Sequence, residues 1–266
     1  MPESRLDAIL SATRERIASL RPNARELAQR AAQAPEPRRF APVLAAPAIG
    51  VIAEVKRRSP SAGAIREDLD PVAHARAYEQ GGATAISVLT DERHFGGTLD
   101  ELSRVARCVS VPVLRKDFIL DELQLYETRA AGASAALLIV RALAPERLRA
   151  LAGAARGLAL GVLVEVHSEA ELDLALAVEP AAVGVNSRDL GTFAVDLALA
   201  ERLLARVPAG VPAVAESGIE TRADVERMAA AGADLVLVGT SVARSGDPAE
   251  AVRALTGVRR QGRGRS

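Results

Sequence analysis

AIGVIAEVKRRSPS, residues 48–61, raises two questions at once. Its first half, AIGVIAEV, is apolar at almost every position, the pattern of a strand covered on both faces. Its second half opens on Lys56, and lysine is scarce here. Of 34 lysines and arginines, only Lys56 and Lys116 are lysine. A guanidinium holds its proton, whereas an amine can release one where its surroundings favour it. A strand that ends on a lysine in so arginine-rich a chain ends on a candidate proton donor.

The same rhythm recurs seven more times. TAISVL, VPVL, SAALLIV, LGVLVEV, AAVGV, VPAVA and DLVLVG are short apolar runs separated by longer stretches. Those stretches, such as DPVAHARAYEQGGA, DELQLYETRAAGA, SEAELDLALA and TRADVERMAAAGA, carry helical amphipathic spacing. Several close on Gly-Ala just before the next run, where glycine stops a helix. Eight strand–helix units at a spacing of roughly 20–30 residues match a (β/α)8 barrel of about 250 residues. An open doubly wound sheet is the alternative. It fits less well, because the first strand is not followed by GxGxxG and the units reach eight.

Residues 1–46 read as an N-terminal helical extension. Leu6, Ile9, Leu10, Ile17 and Leu20 recur at helical spacing, Pro22 interrupts, and ARELAQRAAQ resumes before a Pro-rich connector, APEPRRFAPVLAAP. The barrel is expected over 47–256. The end, GVRRQGRGRS at 257–266, reads as a disordered tail.

With 49% hydrophobic residues but only 2% aromatic and no Trp, the core must rest on Ala, Leu and Val. A formal net charge of zero excludes a general nucleic-acid binder. No run is long enough to span a membrane, and MPESRLDAIL lacks the apolar centre of a signal peptide. The single cysteine, Cys108, cannot form an internal disulfide and points to a reducing, cytoplasmic setting; it reads as a small buried side chain. His74, His94 and His167 lack metal-ligand spacing, so no metal is expected; His74 and His167 read as surface residues or as supports behind a site. A monomer is expected.

A barrel places its working groups at the carboxyl ends of its strands. Glu54 and Lys56 end the first and, two apart, share a side. RKDF brings Lys116 and Phe118 to one side, with Arg115 facing the other to serve the structure. LVEVH holds Glu165 among apolar residues. GVNSRDL gives Asn186 and Arg188; AVAESGI gives Glu216 and Ser217; the eighth run closes on Gly239, Thr240 and Ser241. Isolated buried charges cost several kcal/mol, so this many converging on one mouth point to an active site. The glycines and hydroxyls of ESGI and GTSVAR fit a phosphate corner built from backbone N–H groups.

In order and spacing, AEVKRRSPSAG, SVLTDERHFGG, VPVLRKDFIL, GVLVEVH, VGVNSRDL, VAESGI and VLVGTSV resemble indole-3-glycerol phosphate synthase, over roughly residues 48–245. The combination of E-x-K-x-x-S-P-S with R-K-D-F is specific. Related phosphate-binding barrels of tryptophan and histidine biosynthesis share the phosphate corner but not this lysine–glutamate set. One departure is His94 before Phe95, where the family often has an aromatic residue.

The resemblance implies the substrate 1-(2-carboxyphenylamino)-1-deoxyribulose 5-phosphate, closed to an indole with loss of carbon dioxide and water, and no cofactor. It implies Lys116 as general acid in ring closure, Glu165 as base in the dehydration, Lys56 holding an anionic group and assisting dehydration, and Glu54 tuning the lysines. It sets Ser59 and Ser217 near the substrate, Phe118 against the aromatic ring, Asn186 and Glu216 on sugar hydroxyls, Arg188 on the carboxylate, and Gly218, Gly239, Thr240 and Ser241 around the phosphate. Two rivals remain: a sister isomerase on the same pathway, expected to use a cysteine or aspartate pair at strand ends, and a non-catalytic sugar-phosphate-binding barrel.

Overall fold

The computed structural model describes residues 5–40, 46–60, 62–189 and 191–262. Residues 1–4 of the helical extension, 41–45 of the connector, Ser61 of SPS, Leu190 of SRDL and 263–266 of the tail lie outside the described residues.

The extension forms α1 (Arg5–Leu20) and α2 (Ala24–Gln33), divided at Pro22 by a single 3-10 turn. Ile9, Leu10 and Ile17 are buried on one face of α1; Leu6 and Leu20 lie at its margins. Eight barrel strands follow: β1 (Gly50–Val55), β2 (Ala85–Leu89), β3 (Val113–Lys116), β4 (Ala135–Ile139), β5 (Gly161–Val166), β6 (Ala182–Asn186), β7 (Ala213–Glu216) and β8 (Leu235–Val238), with a small antiparallel pair, Arg58–Ser59 and Gly63–Ala64, in the loop after β1. Each barrel strand pairs in parallel with its sequence neighbours, and β8 closes on β1 with Gly50 beside Leu235. This is the closed (β/α)8 barrel, not the open sheet.

The helices are α3 (Pro71–Gln80), a short α4 (Glu92–Phe95), α5 (Leu99–Cys108), α6 (Glu122–Ala130), α7 (Pro145–Gly157), α8 (Glu169–Leu176), α9 (Leu197–Arg206), α10 (Arg222–Ala230), α11 (Thr240–Arg244) and α12 (Pro248–Arg253). Their starts are set locally. Asp70 accepts from the Val72 and Ala73 N–H groups, and Thr98/Glu101, Asp121/Gln124 and Thr221/Asp224 form reciprocal caps that satisfy otherwise orphaned donors. The Gly-Ala stops work as expected: Gly82, Gly132 and Gly232, just past α3, α6 and α10, all have φ between 83° and 98°. No helix among the described residues is long and apolar enough to cross a membrane.

Two apolar layers hold the fold. Outward-facing strand residues such as Val51, Ala53, Val113 and Val164 pack under the helices, with Cys108 only partly buried at that layer's edge. Inward-facing residues, among them Ile52, Leu114, Leu137, Leu163, Val214 and Leu237, fill the barrel. Phe40 joins this inner cluster; a Cβ on Gly161, at the first residue of β5, would meet it at 2.9 Å, so it closes the amino-terminal end.

One expectation fails there. The segment from 257 is not loose at its start. Val258 is buried and its carbonyl accepts from the Ile49 N–H; Arg260 donates to the Pro47 carbonyl and forms an ion pair with Asp234 at 2.9 Å. The buried Asp234 carboxylate at the foot of β8 needs a counter-charge, and Arg260 supplies it.

Candidate active site

The inward face of the barrel explains the site. Along several strands an apolar residue fills the interior, and two residues later the same side carries a polar group. Ile52 is followed by Glu54, Leu114 by Lys116, Leu163 by Glu165 and Val214 by Glu216. Period-two geometry thereby stacks a charged layer on an apolar plug at the carboxyl end.

Within that layer the Lys116 ammonium lies 3.5 Å from both Glu165 and Glu216, and Lys56 pairs with Glu54 at 2.8 Å. All three carboxylates are at most 3% exposed. Two glycines make the crowding possible. A Cβ on Gly239 would come within 2.5 Å of Glu54 and 2.9 Å of Lys56, and one on Gly184 would collide with the Glu216 carboxylate.

Three carboxylates facing two ammonium groups leave one negative charge too many, and the acidities reflect it. Burial opposes the charge on Lys116, but Glu165, Glu216 and Glu54 outweigh burial and hold its proton far above the ordinary lysine range. Burial likewise raises Glu165 and Glu54. For Glu165, Lys116 and then His167 overcome it; for Glu54, Lys56 and then Lys116 do, and both carboxyls end below their usual range. Glu216 takes the residue: burial, reinforced by Glu165 and Glu54, pushes it up to about 8 despite Lys116. At neutral pH the cluster therefore balances with Glu216 protonated.

Around the cluster lies a cavity of about 160 Å³, lined by Glu54, Lys56, Ser59, Lys116, Phe118, Glu165, Asn186, Arg188, Glu216, Ser217, Gly218, Gly239 and Thr240. The anticipated residues thus converge, with one exception. Ser241 is absent from the lining, and its Oγ, one residue into α11, is buried without a hydrogen-bond partner among the described residues. Asn186 accepts the Arg188 N–H at 3.0 Å; the Arg188 guanidinium donates to the Phe193 carbonyl. Ser217 and Gly218 are successively left-handed, φ 67° and 68°, a strained arrangement for serine that turns the chain sharply at the end of β7.

Sequence reading missed several wall residues: Asp91, Phe95, Asp117 and Phe193 also line the cavity. Asp117 is the most consequential. Its carboxylate, 3% exposed, takes Arg115 at 2.9 Å, Arg16 of α1 at 2.8 Å and the Thr90 hydroxyl at 2.7 Å. Arg115, fully buried on the outer side of β3, also reaches Glu127 and Thr128. It serves the structure, as its parity implies. The only local signal for Asp117 was its place between Lys116 and Phe118. Of the two places expected for His74 and His167, neither is at the surface: both are buried, His74 bonding the Asp70 carbonyl beneath α3, and His167 standing behind Glu165 as a support.

Comparison with known proteins agrees with this geometry. The family model described as indole-3-glycerol phosphate synthase matches residues 6–255. The chain is 48% identical over 232 residues to "Indole-3-glycerol phosphate synthase 2" of Streptomyces coelicolor, covering 87% of this chain and 90% of that one. It is 46% identical to the indole-3-glycerol phosphate synthase of Mycobacterium avium over 256 residues, 96% of this chain and 94% of that one. Among solved structures, 3-hexulose-6-phosphate synthase from Salmonella typhimurium superposes with a TM-score of 0.63 at 15% identity, covering 78% of this chain and 96% of that one, a likeness of fold alone. The protein is accordingly a carboxy-lyase of tryptophan biosynthesis, closing an indole ring with loss of carbon dioxide and water. This chain belongs to the indole-3-glycerol phosphate synthase family.

Proposed function

We propose that Lys116 is the general acid and Glu165 the general base of this reaction, with Glu54, Lys56 and Glu216 setting their charge. The observation that carries it is one ammonium held 3.5 Å from two buried carboxylates at the floor of the cavity. Ring closure drives the aromatic carbon onto the ketone, whose oxygen gains negative charge and takes the Lys116 proton. Loss of carbon dioxide restores the aromatic ring. A proton then departs from the neighbouring carbon to Glu165, which passes it to the new hydroxyl as that leaves as water. Lys56, anchored by Glu54, faces an anionic group of the substrate and assists the dehydration.

The remaining contacts follow from position. Phe118 supplies an apolar wall for the aromatic ring, Ser59 lies near the substrate, and Arg188 meets the carboxylate. Asn186 and Glu216 hydrogen-bond sugar hydroxyls. Gly218, Gly239 and Thr240, with Ser217 before them and Ser241 behind, form the phosphate end, where backbone N–H groups suit an anion. In this reading residues 1–46 are an accessory helical segment and 47–256 the catalytic barrel, acting as a monomer in the cytoplasm.

The test is indole fluorescence on adding substrate, against a chain that has no Trp. Lys116→Arg keeps the charge but yields its proton poorly. It should lose on the order of 10²–10⁴-fold in kcat while still binding substrate, and Glu165→Gln should fall comparably. Near-native turnover by either variant refutes its role.

A further inference from the structure

A chain of side chains leads from Glu165 away from the cavity to the rim. His167, two residues past Glu165 and 5% exposed, does not line the cavity. Its Nε2 lies 3.3 Å from Glu165 Oε1 and has no well-formed hydrogen bond. Its other ring nitrogen, Nδ1, lies 3.4 Å from Glu171 Oε2 on α8, and the same oxygen accepts the His167 backbone N–H at 2.7 Å. Glu171 is paired in turn with Arg141 at 3.1 Å, and Arg141 with the half-exposed Asp189 at 2.8 Å. The groups facing the imidazole are thus Glu165 from β5 and Glu171 from α8, with Lys116 behind the first and Arg141 and Asp189 behind the second.

The reaction supplies a reason for such a path. The substrate enters with a carboxylate that leaves as neutral carbon dioxide, and its ketone oxygen leaves as water. Counting protons, the ketone oxygen gains two and the ring carbon gives up one, so each turnover draws one proton from solvent. If Glu165 returns its proton to the departing hydroxyl, Lys116 ends the cycle one proton short while product fills the cavity.

We propose that His167 is a positioning residue that relays this proton: it accepts one at Nδ1 from the Glu171 side and releases one from Nε2 to Glu165, which passes it to Lys116. No bond between heavy atoms changes. One N–H forms as the other breaks, and the imidazole regains its starting tautomer by rotation or exchange before the next cycle. Glu171, partly exposed, is the entry from water. The relay rests on the assignment of Lys116 and Glu165 given above.

The experiment compares steady-state turnover with a single turnover at enzyme excess, both read by indole fluorescence. In His167→Gln the amide retains a donor for Glu165 where Nε2 stood but carries no proton through. Single turnover, which starts with Lys116 loaded, should stay within about twofold of native, while kcat falls roughly tenfold or more and recovers in part when imidazole is added. A merely structural histidine would slow both rates together. Native-like kcat from pH 6 to 9, or a single-turnover rate that falls in step with kcat, overturns the relay. Should His167→Gln fail to fold, Glu171→Gln interrupts the same path from outside and must show the same split. Native turnover in Glu165→Gln would refute the base assignment; native turnover in His167→Gln beside an inactive Glu165→Gln refutes the relay alone.

Discussion

Glu216→Gln should make this enzyme more stable above neutral pH. The carboxyl is 2% exposed and burial, with Glu165 and Glu54 nearby, lifts it from an ordinary 4.5 to about 8. A carboxyl raised on folding binds a proton in the folded chain that the unfolded chain has already released. Its contribution is therefore complete below about pH 4.5 and is lost progressively as pH climbs to about 8. At about 1.4 kcal/mol per pH unit, that span is worth on the order of 5 kcal/mol. Glutamine keeps the shape and cannot ionise, so the loss disappears. Urea unfolding followed by circular dichroism at pH 5 and pH 8.5 measures this directly. The variant should match the native chain within about 1 kcal/mol at the lower pH and exceed it by about 3–5 kcal/mol at the higher. Buried His74, whose acidity burial shifts downward, has the opposite trend, but it is common to both proteins and cancels in the difference. Equal stability at pH 8.5, or a pH slope shared by both proteins, would refute the argument.

Two further outcomes follow from pairs described above. Lys56→Arg preserves the charge beside Glu54, so KM should rise roughly tenfold with kcat kept if the role is electrostatic; a kcat that collapses with KM unchanged would assign Lys56 to proton transfer instead. Arg115→Ala strips Asp117 and Glu127 of a buried partner and should cost about 3–5 kcal/mol, read from the urea midpoint; a cost under about 1 kcal/mol would mean that Arg16 and Thr90 suffice.

The barrel was legible because both its periods are local. Apolar runs two faces deep and helices stopped by Gly-Ala are written in contiguous residues, and strand parity alone put Glu54 with Lys56 and separated Arg115 from Lys116. What escaped depends on distant partners. Asp117 is defined by Arg16, about a hundred residues upstream, and no pattern around RKDF announces that contact. Val258 and Arg260 look like tail residues until Ile49, Pro47 and Asp234 are beside them. His167 is one imidazole among three until the turn after β5 sets it behind Glu165.

The ion pair from α1 to Asp117 ties the first helix to the peptide that also carries Lys116 and Phe118. An appendage outside the eightfold repeat thereby becomes part of the rim where the chemistry is done. A bare eightfold scaffold given the same lysines and glutamates would inherit an aspartate lacking one of its counterweights. Anyone transplanting this activity has to carry the first helix along, or redesign the rim past the third strand.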